Sequence, residues 1–328
     1  MKVLLTGATG FIGSHAVEHY LKTTDWDLIL LEGLNYASSM RRLTEMDVWP
    51  LENERVQVVY HNIQSPLSDD VKSRIGNPDA IIHFAAETHV ERALVDPAPF
   101  VMSNVVGTMH MLDYAREVGV GRYIQISTDE VYGPAPEGVF FKEGDPYHPS
   151  NPYSATKAGA DCLAFSYHIS FKVPVIVTNT MNNFGERQHP EKFVPKTIRS
   201  IVRGEKVLLH GTPGNVGSRC WLHARNHADA IKFIIQHGQV GQQYHVSSND
   251  EYSVEEMADM IAHSLGGMQY QREYVDFHAT RPGHDRRYAL DGAKLRSLGW
   301  NPPVMFYESL ERVIKWTKSH ADWLQEVR

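Results

Sequence analysis

Short apolar runs alternate with longer amphipathic segments through the first half of the chain. The runs are rich in Val, Ile and Leu, which is typical of buried strands. Apolar residues at helical spacing predict helices up to about residue 22, from 100 to 118 and from 151 to 171. The predicted strands lie at 2–6, 28–31, 56–60, 80–84, 123–127 and 173–177. Strands that alternate with helices favour an α/β fold with a doubly wound parallel sheet.

Beyond residue 178 this alternation weakens. Helices are predicted at 194–203, at 227–237, from 253 onward and around 310–316, and a loop is predicted at 212–218. We therefore predict a sheet domain at 1–178 and a smaller lobe at 179–328. The segment at 221–246 is expected to return and cover the sheet of the first domain.

The first predicted strand runs into a glycine-rich turn that opens a helix. Gly7, Gly10 and Gly13 form G-x-x-G-x-x-G, a variant of the dinucleotide-binding fingerprint of Rossmann-like folds. Such glycines let the backbone approach a pyrophosphate at the helix N-terminus. Glu32 ends the second strand, where a carboxylate can bind the adenosine ribose and would repel a 2′-phosphate. This combination favours NAD over NADP; the alternative for Glu32 is a surface side chain without a ligand.

The fifth predicted strand delivers Thr128, Asp129 and Glu130 at its carboxyl end, the edge where open parallel sheets bind ligands. Tyr153 and Lys157 lie four residues apart on the next helix and share one face. An ammonium beside a phenol lowers the pKa of the phenol, so that Tyr153 could take a proton from a sugar hydroxyl. The two carboxyl groups offer an acid and a base. Either motif alone also fits a structural turn or chance spacing, and their order after the glycine turn favours catalysis.

The composition limits the kind of protein. The chain has 328 residues, of which 22% are charged, and a formal net charge of −7. This charge argues against nucleic-acid and membrane-surface binding. Its 18 histidines and two cysteines show no metal-ligand spacing, so we predict no metal site, and two cysteines fit a reducing compartment. With neither a signal-peptide pattern nor about 20 consecutive apolar residues, a cytoplasmic location is expected.

At the level of whole motifs, the chain resembles the extended short-chain dehydrogenase/reductases. Among them it is most similar to the nucleotide-sugar 4,6-dehydratases of the dTDP-glucose 4,6-dehydratase type, over nearly its full length. The Asp-Glu pair after Thr128 distinguishes this group, because related 4-epimerases usually lack both carboxylates. The resemblance is carried by GATGFIGS, HFAAETHVERAL, STDEVYG, NPYSATKAGAD, NNFGERQHPEKFVP, RPGHDRRYALD and GWNPP.

The resemblance implies an internal redox cycle on a nucleotide hexose. Tyr153 would accept the C4 hydroxyl proton as hydride passes to NAD, while Thr128 bonds that oxygen and Lys157 holds Tyr153 and the nicotinamide ribose. Glu130 would then remove the C5 proton, and Asp129 would protonate the C6 hydroxyl, which leaves as water. Return of the hydride to C6 would convert dTDP-glucose or UDP-glucose to an NDP-4-keto-6-deoxyglucose without net use of NAD.

The same resemblance implies two sets of binding residues. The cofactor set is Gly7, Gly10, Phe11, Ile12, Gly13, Glu32, Asn35, Asn62, Ile63, Phe84, Ala85, Ala86, Thr88, Ser103, Tyr153, Lys157 and Asn183. The substrate set is Thr88, Thr128, Asn182, Lys192, Phe193, Leu208, His210, Arg219, Asn249, Arg281 and His284. One departure is Glu32, where relatives usually carry the shorter Asp; a Glu can still reach a ribose.

Two other functions stay open at this point. An NDP-sugar 4-epimerase needs only Tyr153 and NAD and has no water to expel, so the paired carboxylates argue against it. A non-catalytic NAD-binding regulator on the same fold is the other alternative. The complete set of Thr128, Tyr153 and Lys157 argues against the regulator. By resemblance we also expect a homodimer, paired through the helices at 100–118 and 151–171.

Overall fold

The computed structural model describes residues 1–49, 53–276 and 286–325. Its first half alternates strands and helices. The elements are β1 (Lys2–Thr6), α1 (Phe11–Thr23), β2 (Asp27–Glu32), α2 (Arg41–Thr44), β3 (Val56–Tyr60), α3 (Asp69–Ile75), β4 (Ala80–His83), α4 (Val90–Val95), α5 (Ala98–Phe100), α6 (Gly107–Val118), β5 (Arg122–Thr128), α7 (Pro152–Phe171) and β6 (Val175–Thr180). Short 3-10 helices lie at Asn53–Arg55 and Asp129–Tyr132, and a π-helical segment lies at Val101–Val106.

The second half has shorter strands. Its elements are β7 (Asn182–Phe184), α8 (Phe193–Arg203), β8 (Val207–Thr212), β9 (Asn215–Val216), β10 (Ser218–His223), α9 (Ala224–His237), β11 (Gln243–Val246), β12 (Glu251–Ser253), α10 (Val254–Ser264), β13 (Arg272–Val275), β14 (Arg287–Tyr288), α11 (Ala293–Ser297) and α12 (Phe306–Ser319), followed by a 3-10 helix at Ala321–Leu324. Among the described helices, none combines the length and apolarity needed to cross a membrane.

Seven parallel strands form the main sheet, in the order β11-β6-β5-β4-β1-β2-β3. The chain moves outward from β1 to β3, then restarts on the other side of β1 with β4. The strand order therefore reverses between β1 and β4, which opens a crevice at their carboxyl ends. This arrangement confirms the prediction of a doubly wound, Rossmann-like α/β fold.

Both faces of the sheet are buried, which explains the uninterrupted apolar runs. Successive residues of β1 point to opposite faces: Val3 and Leu5 join one core cluster and Leu4 joins the other. A third cluster lies in the second half and includes Phe184, Trp221 and Phe306. The site described below lies where the sheet crevice meets this second half.

The chain crosses back to the sheet after β10. Helix α9 packs against α1, and β11 pairs in parallel with β6. The remaining strands form two small sheets. In one, β10 pairs with β12, β14 and β7; in the other, β8 pairs with β9 and β13.

Several boundaries differ from those predicted. The predicted helix at 100–118 contains the π-helical segment, and the predicted strand at 173–177 is displaced to Val175–Thr180. The predicted loop at 212–218 holds the β8–β9 hairpin, which turns at Gly214 with φ of +71°. These short strands take their pairing from residues distant in sequence, so no local apolar pattern marks them.

Candidate active site

One large cavity of about 480 Å³ opens at the carboxyl edge of the main sheet, over the point where the strand order reverses. Its walls include the glycine turn after β1, the ends of β2, β4 and β5, the start of α7 and the β8–β10 region. All five predicted catalytic residues line it, namely Thr128, Asp129, Glu130, Tyr153 and Lys157. Every residue of the predicted cofactor set lines it as well.

The glycine turn leaves no room for side chains. Gly7 has φ of +70°, and a Cβ there would lie 2.8 Å from the Ala85 Cα. A Cβ at Gly13 would collide with the Gly7 carbonyl oxygen. Within the part of the chain that the structure describes, no side chain caps the N-terminus of α1, so its first N–H groups lie at the cavity edge without such a partner. This turn fits a dinucleotide pyrophosphate.

Glu32 lies under this turn and is only 1% exposed. This burial excludes the alternative that Glu32 is a surface side chain. Its carboxylate accepts hydrogen bonds from the Ala8 amide, at 2.5 Å, and from the Thr9 hydroxyl. Burial raises the pKa of Glu32 to about 7, although both hydrogen bonds oppose the rise. The carboxylate therefore braces the turn at the edge of the cavity.

Replacing Glu32 by Gln should reduce the pH dependence of stability. The pKa of Glu32 is raised in the folded protein, so stability falls as pH rises from about 4.5 to about 7. Because Glu32→Gln cannot ionise, we expect the variant to lose about 2–3 kcal/mol less than the parent between pH 5 and pH 8. Urea unfolding at both pH values measures this difference. The exposed Glu54→Gln is the control, and equal losses in Glu32→Gln and the parent would contradict the prediction.

Thr128, Asp129 and Glu130 stand where β5 passes into a 3-10 helix. The Thr128 hydroxyl donates to Asp129 Oδ1 at 2.9 Å and accepts from the Glu130 amide at 3.3 Å. Glu130 Oε2 accepts from Asn151 Nδ2 at 3.3 Å and from the Tyr288 hydroxyl at 3.4 Å. The two carboxyl groups are thus neighbours with different surroundings.

The difference shows in the acid strength of Asp129, which is only 4% exposed. Burial raises the pKa of Asp129 to about 7, and the charge of Glu130 adds to this, while the Thr128 hydrogen bond and Arg219 oppose it. A carboxyl group with such a pKa can hold a proton near neutral pH and give it away.

Tyr153 and Lys157 lie one turn apart on α7, which Asn151 caps with a capping box. Burial raises the pKa of Tyr153, the charges of Glu130 and Asp129 raise it further, and a hydrogen bond with Thr128 lowers it. The prediction that Lys157 lowers this pKa is therefore wrong for the protein by itself. Lys157 Nζ instead donates to the Ile126 carbonyl at 2.6 Å, and burial lowers its own pKa.

Most of the predicted substrate residues also line the cavity. Arg219 is 6% exposed and lies over the Tyr288 ring, 4.6 Å from the ring centroid. Its guanidinium donates to the carbonyls of Ser218 and Arg286, both at 2.6 Å. The others at the wall are Thr88, Thr128, Asn182, Lys192, Phe193, Leu208 and His210.

Asn249 does not line the cavity, and its predicted contact with the substrate stays a prediction. It is exposed on the turn after β11, where its Oδ1 accepts from Arg296 Nη1 at 3.4 Å. Arg281 and His284 lie outside the described residues, so their predicted contacts stay predictions.

Asn35, which belongs to the predicted cofactor set, is part of a cluster at the cavity wall whose other members the sequence pattern missed. The guanidinium carbon of Arg92 lies 3.7 Å from the ring centroid of Tyr36. The Tyr36 hydroxyl donates to Glu191 at 3.5 Å, and Asn35 Nδ2 donates to Glu87 at 3.0 Å. These contacts join the loop after β2, the segment that leads from β4 into α4 and the loop before α8, so no local motif could have indicated them.

A buried group of His15, Glu186 and His223 has the composition of a metal site, where the sequence predicted none. Its hydrogen bonds argue for a structural role. His223 Nδ1 accepts from the Arg225 amide at 3.0 Å, so its Nε2 carries the proton and donates to Glu186 Oε2 at 2.9 Å. His15 Nε2 bonds the Glu186 carbonyl at 2.9 Å. Hydrogen bonds within the group thus connect α1, the loop after β7 and the end of β10.

Comparison with known proteins identifies the chain. The family model for GDP-mannose 4,6 dehydratase matches residues 4–313. The dTDP-glucose 4,6-dehydratase of Streptomyces niveus is 37% identical across 100% of this chain and 96% of its own. The chain is a nucleotide-sugar 4,6-dehydratase. This dehydratase belongs to the extended short-chain dehydrogenase/reductases and is an NAD-dependent hydro-lyase, as its sequence predicts.

Two further relatives bear on the substrate and the cofactor. The dehydratase is 40% identical to the low-salt glycan biosynthesis protein Agl12 of Haloferax volcanii, over 96% of this chain and 97% of that one. Its structure matches DesIV, a dTDP-glucose 4,6-dehydratase of Streptomyces venezuelae solved with NAD, with a TM-score of 0.90, 34% identity and 99% coverage of both chains. NAD is thus the cofactor of the dehydratase, and the glycine turn described above fits it.

A more distant neighbour is the UDP-glucose 4-epimerase of Thermus thermophilus, also solved with NAD. It matches the dehydratase with a TM-score of 0.85 and 25% identity, over 97% of this chain and 99% of that one. The fold and cofactor are therefore shared between dehydratases and epimerases. What separates the two reactions must lie in the side chains at the site.

Proposed function

We propose that the enzyme converts dTDP-glucose or UDP-glucose to the corresponding NDP-4-keto-6-deoxyglucose and water. One observation carries this proposal: Asp129 and Glu130 lie side by side in the cavity, with Asp129 buried and suited to hold a proton. An epimerase has no use for an acid that expels water. The dTDP-glucose 4,6-dehydratases among the relatives favour dTDP, and the nucleotide base is decided by experiment.

Each catalytic residue has a role that its surroundings support. NAD held at the glycine turn would supply the hydride chemistry of the cycle, and the positive charge of its ring would favour the Tyr153 phenolate. Tyr153 takes the C4 hydroxyl proton, and Thr128 bonds the same oxygen. Lys157 extends from the same helix face and holds the nicotinamide ribose and Tyr153 in place.

The elimination uses the two carboxyl groups in opposite protonation states. The C4 ketone acidifies the C5 hydrogen, which Glu130 removes as base. Asp129 then protonates the C6 hydroxyl so that it leaves as water. Burial and the Glu130 charge keep the pKa of Asp129 near 7, which supports its assignment as the acid.

We assign the remaining cavity residues by position. The nucleotide diphosphate lies along β7, α8 and β10, where Arg219 presents a planar guanidinium and Lys192 an ammonium. Thr88, Asn182, Phe193, Leu208 and His210 complete the substrate side. The cofactor set proposed above surrounds the glycine turn and the end of β2. Two lobes, at 1–178 with 221–246 and at the rest of 179–328, would enclose both ligands between them.

The test uses purified protein with dTDP-glucose and with UDP-glucose, each with and without added NAD. Product mass and the alkali-induced absorbance of a 4-keto-6-deoxy sugar are followed. Loss of one water without net reduction of NAD supports the proposal, and the faster sugar identifies the base. A galactose-configured product of unchanged mass would establish the epimerase. Binding of NAD without conversion of either sugar would favour the regulator.

We further propose a homodimer in the cytoplasm, paired through α6 and α7. Support comes from large apolar side chains left exposed on α7, where Ile169 is 69% exposed, and on the π-helical segment that leads into α6, where Met102 is 42% exposed. We expect light scattering to give the mass of two chains, and Met102→Glu to give one, because a buried unpaired carboxylate opposes association. Met305, 72% exposed elsewhere, offers the control variant Met305→Glu. A parent with the mass of one chain would contradict the pairing.

A further inference from the structure

We propose that the Thr128 hydroxyl passes the proton gained by Tyr153 to Asp129, so that these three residues form one proton relay. This inference rests on the dehydration proposed above. It adds a role for Thr128 beyond a hydrogen bond to the substrate, and it explains how the enzyme returns to its starting state after each reaction.

The proton balance of the reaction requires such a transfer. The C4 hydroxyl loses a proton to Tyr153, and the C6 hydroxyl gains one from Asp129 as it leaves as water. The proton that Glu130 takes from C5 returns to C5 when hydride adds at C6, so Glu130 ends as it began. One turnover therefore leaves Tyr153 with one proton more and Asp129 with one fewer. The C4 proton must reach Asp129 before the next elimination.

The contacts of Thr128 place it between the two groups that must exchange the proton. The Thr128 hydroxyl donates to Asp129 Oδ1 at 2.9 Å. Tyr153 lines the same cavity, and its interaction with Thr128 lowers the pKa of Tyr153. A hydroxyl donates one hydrogen bond and accepts two. With its proton aimed at Asp129, Thr128 can accept from the Glu130 amide and, once it no longer bonds the C4 oxygen, from the Tyr153 hydroxyl. One proton then passes from Tyr153 to Thr128 and another from Thr128 to Asp129. These two transfers move one negative charge from Asp129 to Tyr153, and no heavy atom has to move.

Burial makes this internal path important. Thr128 is 9% exposed, Asp129 4% and Tyr153 7%. A bound sugar at the cavity covers these groups further, so exchange with bulk water would be slow on the side where the proton is needed. Asp129, whose pKa lies near 7, can both receive and release a proton at neutral pH.

The experiment compares Thr128→Val, which removes the hydroxyl, with Thr128→Ser, which keeps it. NAD-loaded enzyme is mixed with dTDP-glucose, and 4-keto product is followed from the first turnover. In Thr128→Val, the first turnover can use the proton already on Asp129, but the next ones must wait for solvent. We expect a burst of about one product per site, then a steady rate at least tenfold lower. That steady rate should rise with imidazole concentration, because a small buffer can carry the proton instead.

Thr128→Ser is expected to turn over without a burst and without dependence on imidazole. A Thr128→Val variant that is slow from the first turnover and insensitive to imidazole would overturn the relay and leave Thr128 as a hydrogen-bond partner only. A variant that turns over at the parent rate would overturn it as well. If the parent itself releases no water from dTDP-glucose or UDP-glucose, the proposed function has failed, and this outcome is distinct from either result.

A second readout needs neither cofactor nor turnover. The infrared band of the protonated Asp129 carboxyl group, assigned by its loss in Asp129→Asn, is titrated in parent and Thr128→Val. The Thr128 hydrogen bond lowers the pKa of Asp129, so the midpoint should move upward when the hydroxyl is removed. An unchanged midpoint would mean that the hydroxyl does not engage Asp129 in solution, which overturns the relay.

Discussion

Replacing Asp129 by Asn should slow the release of water by about two to four orders of magnitude while leaving oxidation at C4 in place. The amide matches the carboxyl group in size but has no proton to give to the C6 hydroxyl. Tyr153 and Lys157 are untouched, so the first half of the cycle can still run. Mixing the variant with dTDP-glucose should therefore build up reduced cofactor, to as much as one equivalent per site, with no change in the mass of the sugar beyond loss of two hydrogens.

Rapid-mixing absorbance and product mass measure the two half-reactions separately. Asp25→Asn, at an exposed position away from the cavity, controls for the substitution itself. In the parent, the elimination should slow as pH rises through about 7, because Asp129 must carry a proton to act as the acid. An Asp129→Asn variant that loses water at the parent rate would remove Asp129 from this role.

Replacing Tyr153 by Phe should slow oxidation at C4 and, with it, the elimination that follows. We expect turnover to fall by about two to four orders of magnitude. The ring, which packs edge-on against Phe100 with centroids 6.5 Å apart, is retained. The group that accepts the C4 proton is lost. No reduced cofactor should accumulate, in contrast to Asp129→Asn, because oxidation cannot begin.

Tyr123→Phe supplies a matched control. Tyr123 is fully buried on β5, its hydroxyl has no hydrogen-bond partner among the described residues, and it does not line the cavity. We expect the Tyr123→Phe variant to turn over at the parent rate. Stopped-flow absorbance of reduced NAD compares the variants. Accumulation of reduced cofactor in Tyr153→Phe would show that another group takes the C4 proton.

The sheet of the first half could be predicted because its strands are buried on both faces. In Lys2–Thr6, for example, the three central residues are all apolar, and this signal needs no knowledge of the neighbouring strands. The strands of the second half carry no such signal. Asn182–Phe184 is three residues long and begins with two polar side chains, and it exists as a strand because it pairs with Trp221–His223. Such pairing is decided by tertiary contacts.

The features of the active site also differ in whether they could be predicted from the sequence. Glycine spacing and the Thr-Asp-Glu strand end are local, so they could be found in sequence. The pKa of Tyr153 could not be predicted from the sequence. The spacing places Lys157 near Tyr153, but it does not show that burial and two carboxylates raise the pKa of the phenol. The position of Asn249 in its motif likewise does not reveal its contact with Arg296.

The late arrival of β11 has a consequence for how the protein is made. On the ribosome, the first 180 residues supply six strands, but β6 is then an open edge, and the face of α1 that later meets α9 is uncovered. Both are covered only after residues 224–246 have emerged, once much of the second half has been synthesised. An unpaired edge with exposed apolar surface invites aggregation. The nascent chain thus passes through a stretch of about 70 residues, several seconds of synthesis, in which chaperone protection matters most.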